Sequence, residues 1–134
     1  MAEIVPTPGA GDPPHEGEKH PNQVIAEKWF DAFNSQDIEA LLSLYDDNAR
    51  HYSPRLKERQ PNTQGWIQGK DALRAWWQDA FTSLPTLHYT VISLIPNSVA
   101  VLMKYTRTVK GEPDTMVTEV LEIQDGKIVE SRVL

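Results

Sequence analysis

Beyond Pro85 the helical spacing of apolar residues stops, and four runs rich in β-branched and aromatic residues follow, at about 87 to 95, 98 to 109, 115 to 124 and 127 to 134. Pro96-Asn97, Lys110-Gly111-Glu112-Pro113 and Asp125-Gly126 separate them, each a turn signal between strands, and the last suits a two-residue hairpin. The half of the chain before Pro85 is helical in pattern. Val24, Ile25, Trp29, Ala32 and Phe33 share one face of a predicted helix over about 22 to 35, with Asn22 able to cap it. Asp37 opens a second helix, whose stripe of Ile38, Leu41, Leu42 and Tyr45 ends near Asp46. Ala49 to Ser53 reads as a short strand stopped by Pro54, and a loop of about 15 residues follows. Gly69 to Leu84 is the third helix, with Leu73, Trp76, Trp77, Ala80 and Phe81 on one face. Helices first and strands afterwards give an α+β plan: a curved antiparallel sheet covered on one face by three N-terminal helices.

Residues 1 to 21 stand apart. They hold five of the ten prolines and three of the seven glycines, with little to bury, and read as a disordered leader before a single domain over 22 to 134. His15 and His20, in that leader, are assigned no metal role. A chain of 134 residues suits one domain. With no cysteine it offers neither a disulfide framework nor a thiolate nucleophile. The net charge of -6 disfavours binding to nucleic acid, and no apolar run reaches membrane-spanning length. The lack of a secretory signal is read as a cytoplasmic location. Phosphate loops, HExxH and Gly-x-Ser-x-Gly are all missing, so no metal and no cofactor are expected.

The local wording resembles a known family. Trp29-Phe30-Asp31-Ala32-Phe33-Asn34 with Asp37 following, Leu44-Tyr45-Asp46-Asp47-Asn48-Ala49, Gly69-Lys70-Asp71-Ala72-Leu73-Arg74 and Asp125-Gly126-Lys127-Ile128-Val129 are similar to the SnoaL-like branch of the nuclear-transport-factor-2-like superfamily. The resemblance implies a cone of sheet and helix enclosing a pocket, and it is distantly similar to ketosteroid isomerase. Such folds host isomerases, cyclases, lyases and silent binding modules, so the fold alone does not choose among them. In the isomerase an aspartate moves the proton while a tyrosine and a protonated aspartate hold the oxyanion. Carried over, the base falls at Ser53, the oxyanion tyrosine at Trp29 and a further tyrosine at Trp77, while Glu119 keeps a carboxyl. The usual base and phenol are thus replaced, and an indole is a far weaker acid than a phenol.

Strand alternation gives an independent choice of pocket face. Val99, Val101, Met103, Tyr105 and Arg107 share one side of the second long strand, and Val117, Glu119, Leu121 and Ile123 share one side of the third. Arg107 and Glu119 are charges on apolar stripes, open to two readings: an ion pair between neighbouring strands, or pocket groups. His51 and Ser53 join by the same parity, and His51 is the histidine nearest the expected base. The candidate catalytic set is therefore His51 as base, Glu119 as acid or second base, and Tyr105 with Arg107 to hold developing negative charge. The candidate ligand-binding set is Trp29, Phe33, Ser53, Trp66, Trp77 and Met103, with Trp66 as a latch on the loop after Pro61. Arg50, Arg55, Lys57 and Arg59 against Glu58 add a local charge of +3 suited to an anionic ligand.

Two functions fit: a cofactor-independent enzyme acting by proton transfer on a small apolar or anionic molecule, or a non-catalytic ligand-binding or dimerisation module. Tyr89, Leu102, Met116 and Val120 are expected on an outer sheet face that pairs with a second copy to form a homodimer.

Overall fold

A computed structural model describes residues 18–134. The leader expected over 1 to 21 therefore lies largely outside the described residues, His15 included. Helix α1 spans Pro21–Asn34, α2 Ile38–Ser43, α3 Pro54–Arg59 and α4 Lys70–Ser83; the strands are β1 (Tyr45–Tyr52), β2 (Trp66–Gln68), β3 (His88–Pro96), β4 (Ala100–Thr108), β5 (Thr115–Gln124) and β6 (Lys127–Val133). Among the described residues no helix is long and apolar enough to cross a membrane.

Local chemistry fixes the helix ends. Pro21 starts α1, where its missing N–H is no loss, and His20 rather than Asn22 is the cap, its ring accepting from the Asn22 amide. Asn22 instead ties α1 to the β3–β4 turn by donating to the Asn97 carbonyl. Asp37 caps α2 through the Ala40 amide. In α4, Leu73, Trp77 and Phe81 recur every fourth residue and are buried. The loop expected after Pro54 contains a helix, α3, because Ser53 accepts from the Leu56 amide, Pro54 sits at the first turn and Leu56 is fully buried.

The six strands form one sheet in the order β2-β1-β6-β5-β4-β3. Every neighbouring pair is antiparallel except β1 and β6, which run parallel, so the sheet is mixed where an antiparallel one was expected. The long excursion through α3, β2, α4 and the meander supplies the crossover that a parallel pair requires. Asp125 and Gly126 both adopt positive φ, as a two-residue hairpin of right-handed twist demands. On β4, Val101, Met103, Tyr105 and Arg107 are buried, and on β5 Glu119, Leu121 and Ile123 are, as alternation predicts. Helices α1 and α4 pack across this inner face.

Two further expectations need correction. Tyr45 lies not in α2 but at the start of β1, where its ring is buried against Trp77. Tyr89 faces inward, stacked on Phe33 with centroids 4.3 Å apart, because a bulge between Val91 and Ser93 reverses the parity of β3. Tyr89 pairs with Arg107 on the inner face before the bulge and Leu94 pairs with Met103 after it, so an odd and an even position share one side.

Candidate functional site

Between the inner face and the helices lies a cavity of about 300 Å³. Trp29, Phe33, Trp77, Tyr89 and Tyr105 make aromatic walls. Glu119 and His51, 2% and 4% exposed, stand at its deep end, while Arg55, Met116 and Leu134 border it at the surface. Apolar walls around a few placed polar groups are the usual make-up of a small-molecule site.

Strand register brings the deep groups together. Tyr105 pairs with Val117, so its ring lies diagonal to Glu119 on the same face, and the Tyr105 hydroxyl donates to Glu119 Oε1 at 2.6 Å. Glu119 Oε2 is sealed from solvent and has no hydrogen-bond partner. Burial raises the Glu119 carboxyl to about 7, with the Tyr105 bond opposing part of the rise. The same burial, joined by the Glu119 charge, pushes the Tyr105, Tyr89 and Tyr45 phenols up.

His51 is partnered by a different strand. On β6, Ser131 stands beside it in the parallel register, and Ser131 Oγ lies 2.7 Å from His51 Nδ1. Tyr45 donates to the same Ser131 oxygen at 2.9 Å, and the Trp29 indole donates to the Tyr45 hydroxyl at 3.0 Å. Burial lowers His51 to about 4, opposed in part by the Ser131 backbone. The imidazole is therefore neutral at pH 7, and its 4.0 Å approach to Glu119 Oε2 is a contact between uncharged or singly charged groups rather than an ion pair.

Arg107 and Glu119 are not paired. Arg107 Nη1 bonds Glu112 Oε1 at 3.0 Å, a carboxylate from the β4–β5 turn, and its guanidinium borders the cavity. Of the ligand-binding set, Trp29, Phe33, Ser53 and Trp77 line the cavity, Ser53 while also capping α3. Met103 does not line it; its side chain is fully buried in the core. Trp66 stands elsewhere, on edge strand β2, packed on Tyr52 and beneath the Arg50 guanidinium at 4.4 Å. The residues missed in the sequence are Tyr45, Tyr89 and Ser131. Ser131 carried one signal, a lone hydroxyl in a last strand whose other polar residues, Lys127, Glu130 and Arg132, are all charged. Among the described residues no group of three or more His, Asp or Glu side chains is placed to hold a metal ion.

Comparison with solved structures returns the same architecture repeatedly. A SnoaL-like protein of unknown function from Burkholderia thailandensis E264 is 26% identical, with a TM-score of 0.77 over 87% of this chain and 95% of that one. A provisionally assigned polyketide cyclase from Sinorhizobium meliloti is 17% identical, with a TM-score of 0.71 over 87% of this chain and 100% of that one. TerC, co-crystallised with polyporic acid, is 18% identical, with a TM-score of 0.72 over 86% and 91%. The last two establish likeness of fold alone. No curated protein sequence matches significantly. The SnoaL-like domain profile matches residues 26–131, most of the helical layer and nearly all of the sheet, and the chain belongs to the SnoaL-like family.

Proposed function

We propose that the cavity binds a small, partly apolar molecule and moves a proton on it without a cofactor, as an isomerase, cyclase or lyase would. The observation that carries this reading is Glu119: a sealed carboxyl on the cavity wall, one oxygen fixed by Tyr105, the other unpartnered, with its proton affinity near neutrality. A general acid–base works best when its pKa lies near the operating pH. Glu119 meets that condition and His51, at about 4, does not, so Glu119 replaces His51 as the proton carrier in this scheme. With ligand bound, the Glu119 side chain turns its sealed Oε2 toward the cavity; that oxygen's lone pair takes a proton from a carbon beside a carbonyl, the C–H electrons form the enolate, and the carboxyl returns the proton to a second position. Tyr105 orients the carboxyl, and Arg107 with Arg55 attracts an anionic substituent at the rim. The presence of a provisionally assigned cyclase and of a polyporic acid complex among the structural neighbours supports the class of ligand.

The test is deuterium incorporation from D₂O into 2-tetralone, followed by NMR. Wild type accelerates exchange over buffer, and Glu119→Gln loses roughly a hundredfold or more of that acceleration. Equal exchange by the two proteins refutes the scheme. A non-catalytic binding module is the second reading, favoured by one fact: the position of the relatives' base holds Ser53, whose oxygen is engaged with the Leu56 amide. Binding of the ketone with no exchange by wild type would decide for it.

We also propose a homodimer formed through the outer sheet face. Leu102, Val120 and Met116 keep their place there, joined by Ile95 opposite Leu102, and Met116 is 68% exposed. Sedimentation as a monomer at micromolar concentration would overturn that assignment.

A further inference from the structure

The chain of bonds behind His51 has a direction. A tryptophan indole can only donate, so at 3.0 Å the Tyr45 oxygen accepts from Trp29. Tyr45 has one proton, and it goes to Ser131 Oγ at 2.9 Å. Ser131, having accepted, keeps its own proton to give, and His51 Nδ1 lies 2.7 Å away. Trp29, Tyr45 and Ser131 are each 1% exposed or less, so water does not compete for these bonds. Where Ser131 gives that proton to His51, Nδ1 is the acceptor and the single ring proton of neutral His51 sits on Nε2. Nε2 has no protein partner among the hydrogen bonds of the described residues, and His51 borders the cavity.

We propose that Trp29, Tyr45 and Ser131 form a positioning relay that fixes His51 as the Nε2–H tautomer, so that this histidine presents a hydrogen-bond donor to the cavity and selects ligands carrying a carbonyl-type oxygen there. The relay spans three elements, α1, β1 and β6, so that folding itself sets the tautomer. Nε2–H has no lone pair and neither takes a proton nor binds a metal. Two groups compete with the relay: the Glu119 carboxyl, whose Oε2 lies 4.0 Å from the same Nδ1, and the Ser131 backbone, whose contact favours the protonated ring. The ligand class rests on the cavity reading given above, whereas the tautomer does not.

Two measurements separate the parts. In ¹⁵N-histidine-labelled, ligand-free protein at pH 7, long-range ¹H–¹⁵N correlation shows His51 Nδ1 as the unprotonated nitrogen and Nε2 as the protonated one. In Ser131→Ala the ratio moves toward Nδ1–H, in Tyr45→Phe it moves part of the way, and Ser131→Thr restores it. A proton on Nδ1 in wild type, or an unchanged tautomer in folded Ser131→Ala, overturns the relay. The wild-type spectrum decides even where a variant fails to fold. The second measurement is calorimetric binding of 1-tetralone against tetralin, which differ by the carbonyl alone. The ketone binds about tenfold more tightly, the worth of one hydrogen bond. Equal affinity overturns the ligand class; binding of neither overturns the cavity reading with it, and the tautomer is still judged by the spectrum.

Discussion

Replacing Glu119 by Gln changes how stability depends on pH, and by an amount that the structure sets. Glu119 is raised from 4.5 to about 7 by burial, so the folded state holds its proton more tightly than the unfolded chain does. Its contribution is fully present below pH 4.5 and is lost as pH rises through 7. Each tenfold change in proton affinity is worth about 1.4 kcal/mol, and the loss amounts to about 3 kcal/mol. His51 runs the other way. Burial lowers it from 6.5 to about 4, so the unfolded chain binds the extra proton, and stability rises by a similar amount, about 3 kcal/mol, between pH 4 and 6.5. In wild type the two slopes oppose one another between pH 4.5 and 6.5. Glu119→Gln removes the falling one and leaves the His51 rise alone. Urea unfolding followed by tryptophan fluorescence from pH 4 to 8.5 measures this directly. The free-energy difference between variant and wild type should move in favour of the variant by about 3 kcal/mol from the acid end to the alkaline end. Any constant cost of the amide cancels in that comparison. A difference that stays flat with pH means Glu119 titrates alike folded and unfolded, and a variant that loses ground as pH rises means the carboxylate is stabilised in the folded state; either refutes the reasoning.

Three other perturbations probe contacts elsewhere in the fold and at the rim of the cavity. Ser53→Ala removes the cap of α3 and should cost about 1 kcal/mol in denaturant unfolding, since the Leu56 amide loses its side-chain acceptor. Gly65→Ala should cost more than about 1 kcal/mol, because φ is +93° and the added Cβ would lie 2.5 Å from Tyr52 Cε1; a neutral result would mean that both the backbone at residue 65 and the Tyr52 ring readjust without cost. Glu112→Gln releases Arg107 from its partner, and calorimetry should show naphthalene-2-carboxylate binding about two- to fivefold more tightly, with no gain for 2-methylnaphthalene.

The parts of the structure legible in the sequence are those governed by near neighbours. Asp37 announced its helix by cap chemistry, Asp125-Gly126 its hairpin by backbone conformation, and the alternation along β4 and β5 put Tyr105, Arg107 and Glu119 on one face. What failed depended on distant partners or on a single extra residue in a strand. The β3 bulge turned Tyr89 inward, and nothing in a run of β-branched residues marks where a ladder slips. Tyr45 continued the spacing of α2 and was claimed by the helix, although its ring is held by Trp77 and its hydroxyl by Ser131 on β6. Arg107 met Glu112, five residues on in the β4–β5 turn, whereas the sequence offered Glu119 as a partner on the adjacent strand. Ser53-Pro54 carried a readable helix start that the strand reading consumed.

The parallel pairing of β1 with β6 also bears on how the molecule is made. His51 and Ser131 meet across 80 positions of chain, and β6, the latest strand of the sheet to leave the ribosome, lies in its interior between β1 and β5. Until β6 arrives, β1 with its short partner β2 and the β3–β5 meander are two separate pieces of sheet, each with an open edge where β6 will pair. Non-local closure of this kind slows folding and prolongs exposure to aggregation. Nascent chains halted before Lys127 should therefore be bound by chaperones, and release of the complete strand should be the event that seals the cavity.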